Sequence, residues 1–404
     1  MQVSKWIYLS FAAAIAVGSS HRGQCPTELA KLINPVDGFP NEGWATSVAT
    51  QGDWAVVGSR ASPSLTTQSG AAYVFKRNPT TGVWSFNSKL TASDADAGDH
   101  FGQSVSIAGD RLAIGASGDD EFAMGAGAVY VFRHSDLGWI QEAKVLPNDS
   151  TTLSLGTAVS LYDDTVATTE PDSSTGSVYF YRRDGSSWSL EQHSFFSSSQ
   201  FLQHPEAVSP YQNTCFVGAK DALMGSLGTV YVFNRSGTSW TETQAISPPQ
   251  PIDAHEEFGF SVAVEGTRAV IGATRHDHPF SDTGAAYTYK VLQNGQWDLD
   301  QKLSPADAAG GEFFGYSVAL HNGKILVGAL SGTASGVPTG AAYQFNRQGG
   351  AWIQVAKYNA SDAEGGADYG EEVSLWTDAF VGASSDDNTI GANAGSAYVY
   401  GPCP

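Results

Sequence analysis

One short pattern recurs along the chain and constrains its fold more than any other feature. It reads glycine, a small residue, Ala or Val, then Tyr-x-Phe/Tyr, at Gly70–Phe75, Gly127–Phe132, Gly176–Tyr181, Gly228–Phe233, Gly284–Tyr289, Gly340–Phe345 and Gly395–Tyr400. The copies lie roughly 50 to 57 residues apart, a spacing close to that of propeller repeats. A second element, two apolar residues followed by Gly and a small residue, precedes each copy, as in Ile114-Gly115-Ala116 and Ile271-Gly272-Ala273. Its third copy has decayed to Ala167-Thr168-Thr169. A third element, Phe-Gly-x-Ser-Val, opens each unit. It is intact at Phe101, Phe258 and Phe314, varied at Trp44, Leu155 and Tyr369, and reduced to Glu206-Ala207-Val208 in the fourth unit. A tryptophan follows the Tyr-x-Phe strand at Trp84, Trp139, Trp188, Trp240, Trp297 and Trp352.

Each unit therefore carries four short strands. Alternation is visible in Val129-Tyr130-Val131-Phe132, and tight turns such as Ala108-Gly109-Asp110 join the first two strands. Glycine in the Gly-Ala element suits a place where neighbouring units approach closely. Seven units of four strands describe an all-β, seven-bladed propeller, with a linear solenoid as the alternative. Ring closure favours the propeller. The tryptophan element occurs six times, and Glu28-Leu29-Ala30-Lys31-Leu32 resembles the segments that follow those tryptophans, such as Gln141-Glu142-Ala143-Lys144-Val145. The N-terminal strand is thus expected to complete the last blade, 28–33 against 395–400, leaving no open sheet edge.

These elements resemble the FG-GAP repeats of the integrin α-subunit propeller and its relatives in secreted proteins, over about residues 25 to 403. The resemblance implies adhesion or ligand binding. Two departures stand out: no Gly-Ala copy here is followed by Pro, and the Asp-x-Asp-x-Asp calcium loop of that family is replaced by turns such as Glu265-Gly266-Thr267. Such a turn offers too few oxygens for the six to eight ligands that Ca²⁺ takes.

The chain has 404 residues, with Lys+Arg 21 against Asp+Glu 41 and a net charge of -20. Nucleic acid and anionic membranes would be repelled. Residues 1–20 read as a signal peptide, with Lys5 before the apolar run Trp6–Val17, too short for a membrane span. No other stretch reads as transmembrane. The expectation is a secreted protein with a single propeller domain over 21–404, and glycosylation sequons at Asn148, Asn234 and Asn359.

In a propeller, the 2–3 loops and the blade-joining loops share one face. Acidic residues concentrate there: Asp119, Asp120 and Glu121, Asp277 and Asp282, and Asp386 and Asp387 form the expected binding face for an extracellular protein or glycan. Basic residues such as Arg133 and Arg235 follow strand 3, so the disc is expected to be electrically polarised. Asp94-x-Asp96-x-x-Asp99 crowds three carboxylates into one loop and is the best candidate for a bound cation, Ca²⁺. Arg275-His276-Asp277-His278 carries two histidines but no third ligand for Zn²⁺. No nucleophile motif stands out, so a binding module is favoured over an enzyme. The alternative is a hydrolase or lyase with its site at the pore mouth on the acidic face. A deep pocket holding carboxylates of raised pKa would favour the enzyme, and a broad open face the binder. The chain has Cys 3. Cys215 sits in a core strand, whereas Cys25 and Cys403 flank the ends of the closing blade, where a disulfide would replace its missing 3–4 hairpin.

Overall fold

The structure, a computed structural model, describes residues 26–401 except 37, 39–41, 64–66, 150, 172–175, 197–202, 222–226, 250–255, 278–279, 335–336, 363–364 and 384–393. The expected signal peptide, Cys25, Cys403, Asp386, Asp387 and His278 lie outside the described residues.

Alternating apolar strands with tight turns give seven four-stranded antiparallel sheets, plus a two-stranded ribbon in one loop. Each sheet is a blade. The innermost strands of blades 1 to 7 are Trp44–Gln51, Phe101–Ala108, Val159–Tyr162, Gln203–Tyr211, Phe258–Glu265, Phe314–His321 and Tyr369–Leu375. The outermost strands, in the same order, are Trp84–Leu90, Gly138–Val145, Ser187–Phe195, Ser239–Ile246, Trp297–Leu303, Ala351–Tyr358 and Glu28–Leu32. The last of these comes from the N-terminus. It pairs antiparallel with Ser396–Tyr400, setting Glu28 opposite Tyr400 and Leu32 opposite Ala397. Blades 7 and 1 then join as other neighbours do: the Thr50 amide donates to Ser374 Oγ at 3.0 Å. The ring is closed.

The core lies between blades rather than within them. Ala113, Val129 and Val131 of blade 2 pack with Val159, Leu161 and Tyr179 of blade 3 in one buried cluster. Burial of a side chain of this size stabilises by about 1.5–3 kcal/mol. The Gly-Ala element explains how close the blades come. A Cβ at Gly272 would lie 2.0 Å from the Gly315 carbonyl oxygen of the next blade, so only glycine fits. The Phe-Gly glycines answer this from the other side; Gly102, at φ 90°, holds a backbone shape that L side chains rarely adopt. At the periphery a glutamine side chain mimics a strand. The Gln244 amide accepts from the Trp297 amide and donates to its carbonyl, each at 2.8 Å, and Gln301 does the same to Trp352 of the following blade.

Candidate functional site at the loop face and the axial channel

Strands 3 and 4 of a blade place a tyrosine opposite a lysine. The pairs are Tyr73 and Lys89, Tyr130 and Lys144, Tyr287 and Lys302, Tyr343 and Lys357, and Tyr398 and Lys31. His193 and Ala245 stand at the lysine position in blades 3 and 4. In four of the pairs the ammonium lies 5.1–5.5 Å from the ring centroid. The lysine then reaches an aspartate of the blade-joining loop: Lys357 to Asp307 and Lys31 to Asp362, both at 2.6 Å. Tyrosine hydroxyls complete two of these sets, Tyr130 donating to Asp94 and Tyr398 to Asp362.

Much of the acidic loop charge is therefore compensated from within. Lys144 Nζ stands 2.8 Å from Asp94, 2.7 Å from Asp119 and 2.6 Å from Glu121. Burial alone would raise the Asp94 carboxyl, but the Lys144 and Tyr130 bonds hold it below its ordinary value. The expected cation loop is arranged differently from its spacing. Asp94 faces an ammonium, Asp99 accepts the Asp96 amide at 2.6 Å and is pushed upward by burial, and Asp96 is exposed. Among the described residues, no three His, Cys, Asp or Glu side chains gather where they could hold a metal ion.

The other expected binding acids shape their own loops. Asp119 is buried and accepts the Glu121 amide and the Tyr130 hydroxyl; Asp120 accepts the Gly125 amide; Asp277 accepts the Asp282 amide. His276 is buried, not a surface ligand, with Nδ1 3.2 Å from Glu256 and Nε2 against Lys302. The basic end is compensated too. Arg111 binds Glu142, Arg235 binds Glu191, and Asp300 takes Arg268, Lys290 and Arg347. The disc is thus less polarised than its loop composition suggests. Of the sequons, Asn148 is exposed, whereas the amides of Asn234 and Asn359 donate to Thr243 and to the Gly340 carbonyl.

Two features of this face are open to a partner. The first is apolar. Phe122, Met124 and Leu153 are exposed, Met124 by 86%. Hydrogen bonds from Ser154 to Gly125 and from Leu155 to Ala126 lay the segment carrying Leu153 beside the one carrying the other two.

The second is an axial cavity of about 290 Å³ where the seven innermost strands begin. Its wall is made by the variable residue of the Phe-Gly-x-Ser-Val element. Blades 1 to 3 supply neutral groups, Thr46, Gln103 and Thr157; blades 4 to 7 supply Glu206, Phe260, Tyr316 and Glu371, with Glu372 beside the last. Lys220 pairs with Glu206 at 2.7 Å and lies 4.9 Å from the Phe260 ring centroid. Phe260 and Tyr316 pack at 4.6 Å. Ser317 Oγ donates to Glu372 Oε1 at 3.1 Å and accepts the Val373 amide. Burial raises the Glu372 carboxyl to about 8, a rise that the Ser317 bond opposes and the Glu371 charge reinforces. The position was readable as a signal: in a ring of blades the innermost strand faces the axis, so the one changeable site of a repeated element lines the channel.

The FG-GAP repeat pattern matches residues 26–75, 84–132, 240–289, 297–345 and 352–400, more than half of the chain. Each match runs from an outermost strand into the third strand of the next blade, so the sequence repeat straddles blades. No curated protein shows significant similarity to the chain. Among solved structures, the chain is similar to a candidate 6-phosphogluconolactonase of Bacteroides fragilis NCTC 9343, at 10% identity and a TM-score of 0.52 over 79% of this chain and 85% of that one. Saccharomyces cerevisiae Sqt1 aligns at 11% identity and a TM-score of 0.49, over 91% and 98%. At such identity the first likeness speaks to the fold alone. Among the described residues no helix is long and apolar enough to cross a membrane.

Proposed function

The chain belongs to the FG-GAP repeat family, and from that premise we propose that it is an exported binding module whose loop face docks on an extracellular protein. The observation that carries this reading is the exposed group Phe122, Met124 and Leu153, which stands beside the acidic residues Asp120 and Glu121. An apolar patch rimmed by charge suits a protein partner with a basic surround better than a glycan. The internal pairing of Asp94 and Asp119 supports contact through side chains rather than through a bridging cation. The test is capture of a partner from the extracellular medium by the wild-type chain and by Phe122→Ser/Met124→Ser. Leu137→Ser serves as the control, since Leu137 is 91% exposed but lies in a 3–4 turn on the opposite face. Loss of capture in the double variant alone is expected; unchanged capture refutes the face.

One observation favours a second reading, catalysis at the channel. The raised carboxyl of Glu372 beside Glu371 is the kind of pair that can hold and release a proton near neutral pH. A screen of glycoside and ester substrates tests it: turnover that Glu372→Gln abolishes would establish this reading, and no turnover would remove it.

A further inference from the structure

The channel wall is asymmetric in a way that selects a ligand. At one repeated position, four consecutive blades present Glu206, Phe260, Tyr316 and Glu371, two aromatic rings bracketed by two carboxylates. We propose that this sector of the axial cavity binds a primary alkylammonium group, its charge held by Glu371, with the Glu372 carboxyl beside it as a hydrogen-bond acceptor, and its alkyl chain lying along the Phe260 and Tyr316 rings.

Three observations converge on this chemistry. The chain already builds such a contact: the Lys220 ammonium is held by one carboxylate and one aromatic ring, Glu206 and Phe260. Glu371 and Tyr316 repeat that combination at the next pair of blades, facing the cavity. Next, the field is negative. The Tyr316 hydroxyl is driven upward by burial and then by the acidic groups Glu371, Glu206, Glu372 and Asp368. Finally, about 290 Å³ takes a small ligand and not a folded segment.

The rings decide between kinds of cation. Ca²⁺ takes six to eight oxygen ligands and Mg²⁺ six in near-octahedral array, whereas Phe260 offers no oxygen and Tyr316 one hydroxyl. An organic cation gains from both halves: charge against carboxylate, and C–H and N–H surface against the ring face. A neutral sugar would stack on the rings but would leave the negative field uncompensated. The proposal concerns the channel and stands independently of the docking face around Phe122.

Calorimetric titration of the whole protein at pH 7.5 and low salt tests it. The probes are n-butylamine, cadaverine, a lysine blocked at both ends, glucose and CaCl₂. Binding of the amines, with at least tenfold loss in Glu371→Gln and in Tyr316→Leu but near-native affinity in Tyr316→Phe, is expected. Phe122→Ser should bind amines normally, which separates this site from the docking face. Tight binding of the free amines with weak binding of blocked lysine would identify a small-molecule amine, and equal binding a lysine side chain of a partner; both support the site. Absence of amine binding to the wild-type chain overturns it. So does tighter binding of glucose or Ca²⁺, or unchanged amine affinity in Tyr316→Leu. Should Glu371→Gln fail to fold, the Tyr316→Phe and Tyr316→Leu pair decides alone.

Discussion

Lys144→Met removes one ammonium from among three carboxylates, and the structure sets the size of the effect. Asp94 and Glu121 are 43% and 57% exposed, so water screens them and each pairing contributes at most about 1 kcal/mol. Asp119 is only 4% exposed, and Lys144 itself 12%. Removing the partner of a buried charge costs about 3–5 kcal/mol, and this pairing dominates. The methionine retains most of the packing on Tyr130, so the loss is electrostatic. Urea unfolding followed by tryptophan fluorescence should show a lower midpoint equivalent to about 3–5 kcal/mol, largely restored by adding Asp119→Asn. The sign with pH follows from the two groups. Lys144 is raised above 10.5 when folded, so its contribution is full below that value and is lost as pH climbs past the folded value. Asp94 is held below 3.8, so its contribution is full above that value and is lost as pH falls further. The wild-type pairing itself should therefore be present in full between about pH 4 and 10. A loss under about 1 kcal/mol, or no recovery with Asp119→Asn, would refute the reasoning.

Three further outcomes are expected. Gly272→Ala forces a Cβ to within 2.0 Å of the next blade's Gly315 oxygen and should cost about 3 kcal/mol or more, whereas Gly266→Ala, in an open turn, should cost about 1 kcal/mol; equal urea midpoints would contradict this. Glu372 is raised from 4.5 to about 8, so the folded state prefers its neutral form: stability should decline as pH rises from about 4.5 to 8, with a slope approaching about 1.4 kcal/mol per pH unit that Glu372→Gln removes. For the chain ends, the Gly401 amide donates to the Thr27 carbonyl at 3.0 Å, two residues from each of Cys403 and Cys25. Non-reducing peptide mapping should recover those two cysteines linked and Cys215, buried with its thiol pushed upward, free; a Cys25–Cys215 peptide would exclude the pairing.

The fold was legible because its determinants are local and repeated. Blade number follows from the Tyr-x-Phe copies, and closure follows from one displaced strand, Glu28–Leu32. Loop charge was legible only as composition. Whether Asp94 meets a cation or an ammonium depends on Lys144, 50 residues away in sequence, and that pairing follows from the register of strands 3 and 4, which a one-residue slip would reverse. The channel position was legible in the repeat, but its chemistry was not, for a related reason. Glu206, Phe260, Tyr316 and Glu371 are separated by about a repeat each, and each stands at the one position that the repeated element leaves variable. Only closure into a ring makes them a wall.

Blades 3 and 4 show how an apparent decay of the repeat can be compensated. The Gly-Ala glycine of one blade and the Phe-Gly element of the next make a single contact, so they should be lost together. They are: blade 3 carries Thr168 where others have glycine, and blade 4 lacks Phe-Gly. Thr168 Oγ1 instead donates to the Ala158 carbonyl and accepts the Gly156 amide within its own blade. The family pattern also passes over this junction, with no match between 133 and 239. Packing is nevertheless kept. In blade 2 the Phe-Gly ring, Phe101, meets Tyr130 at 5.3 Å and Phe132 at 6.0 Å. In blade 4, Phe196 meets the equivalent Tyr231 and Phe233 at 4.4 Å and 6.3 Å. A phenylalanine ten residues before Glu206 thus fills the place of the absent one. Phe196→Ala should then cost about 3–5 kcal/mol, matching Phe258→Ala in blade 5, because each empties the same inter-blade pocket. If Phe196 were only a loop residue resting on the surface, its loss would cost less than about 1 kcal/mol, and equal unfolding of the two variants by urea is the result that separates these cases.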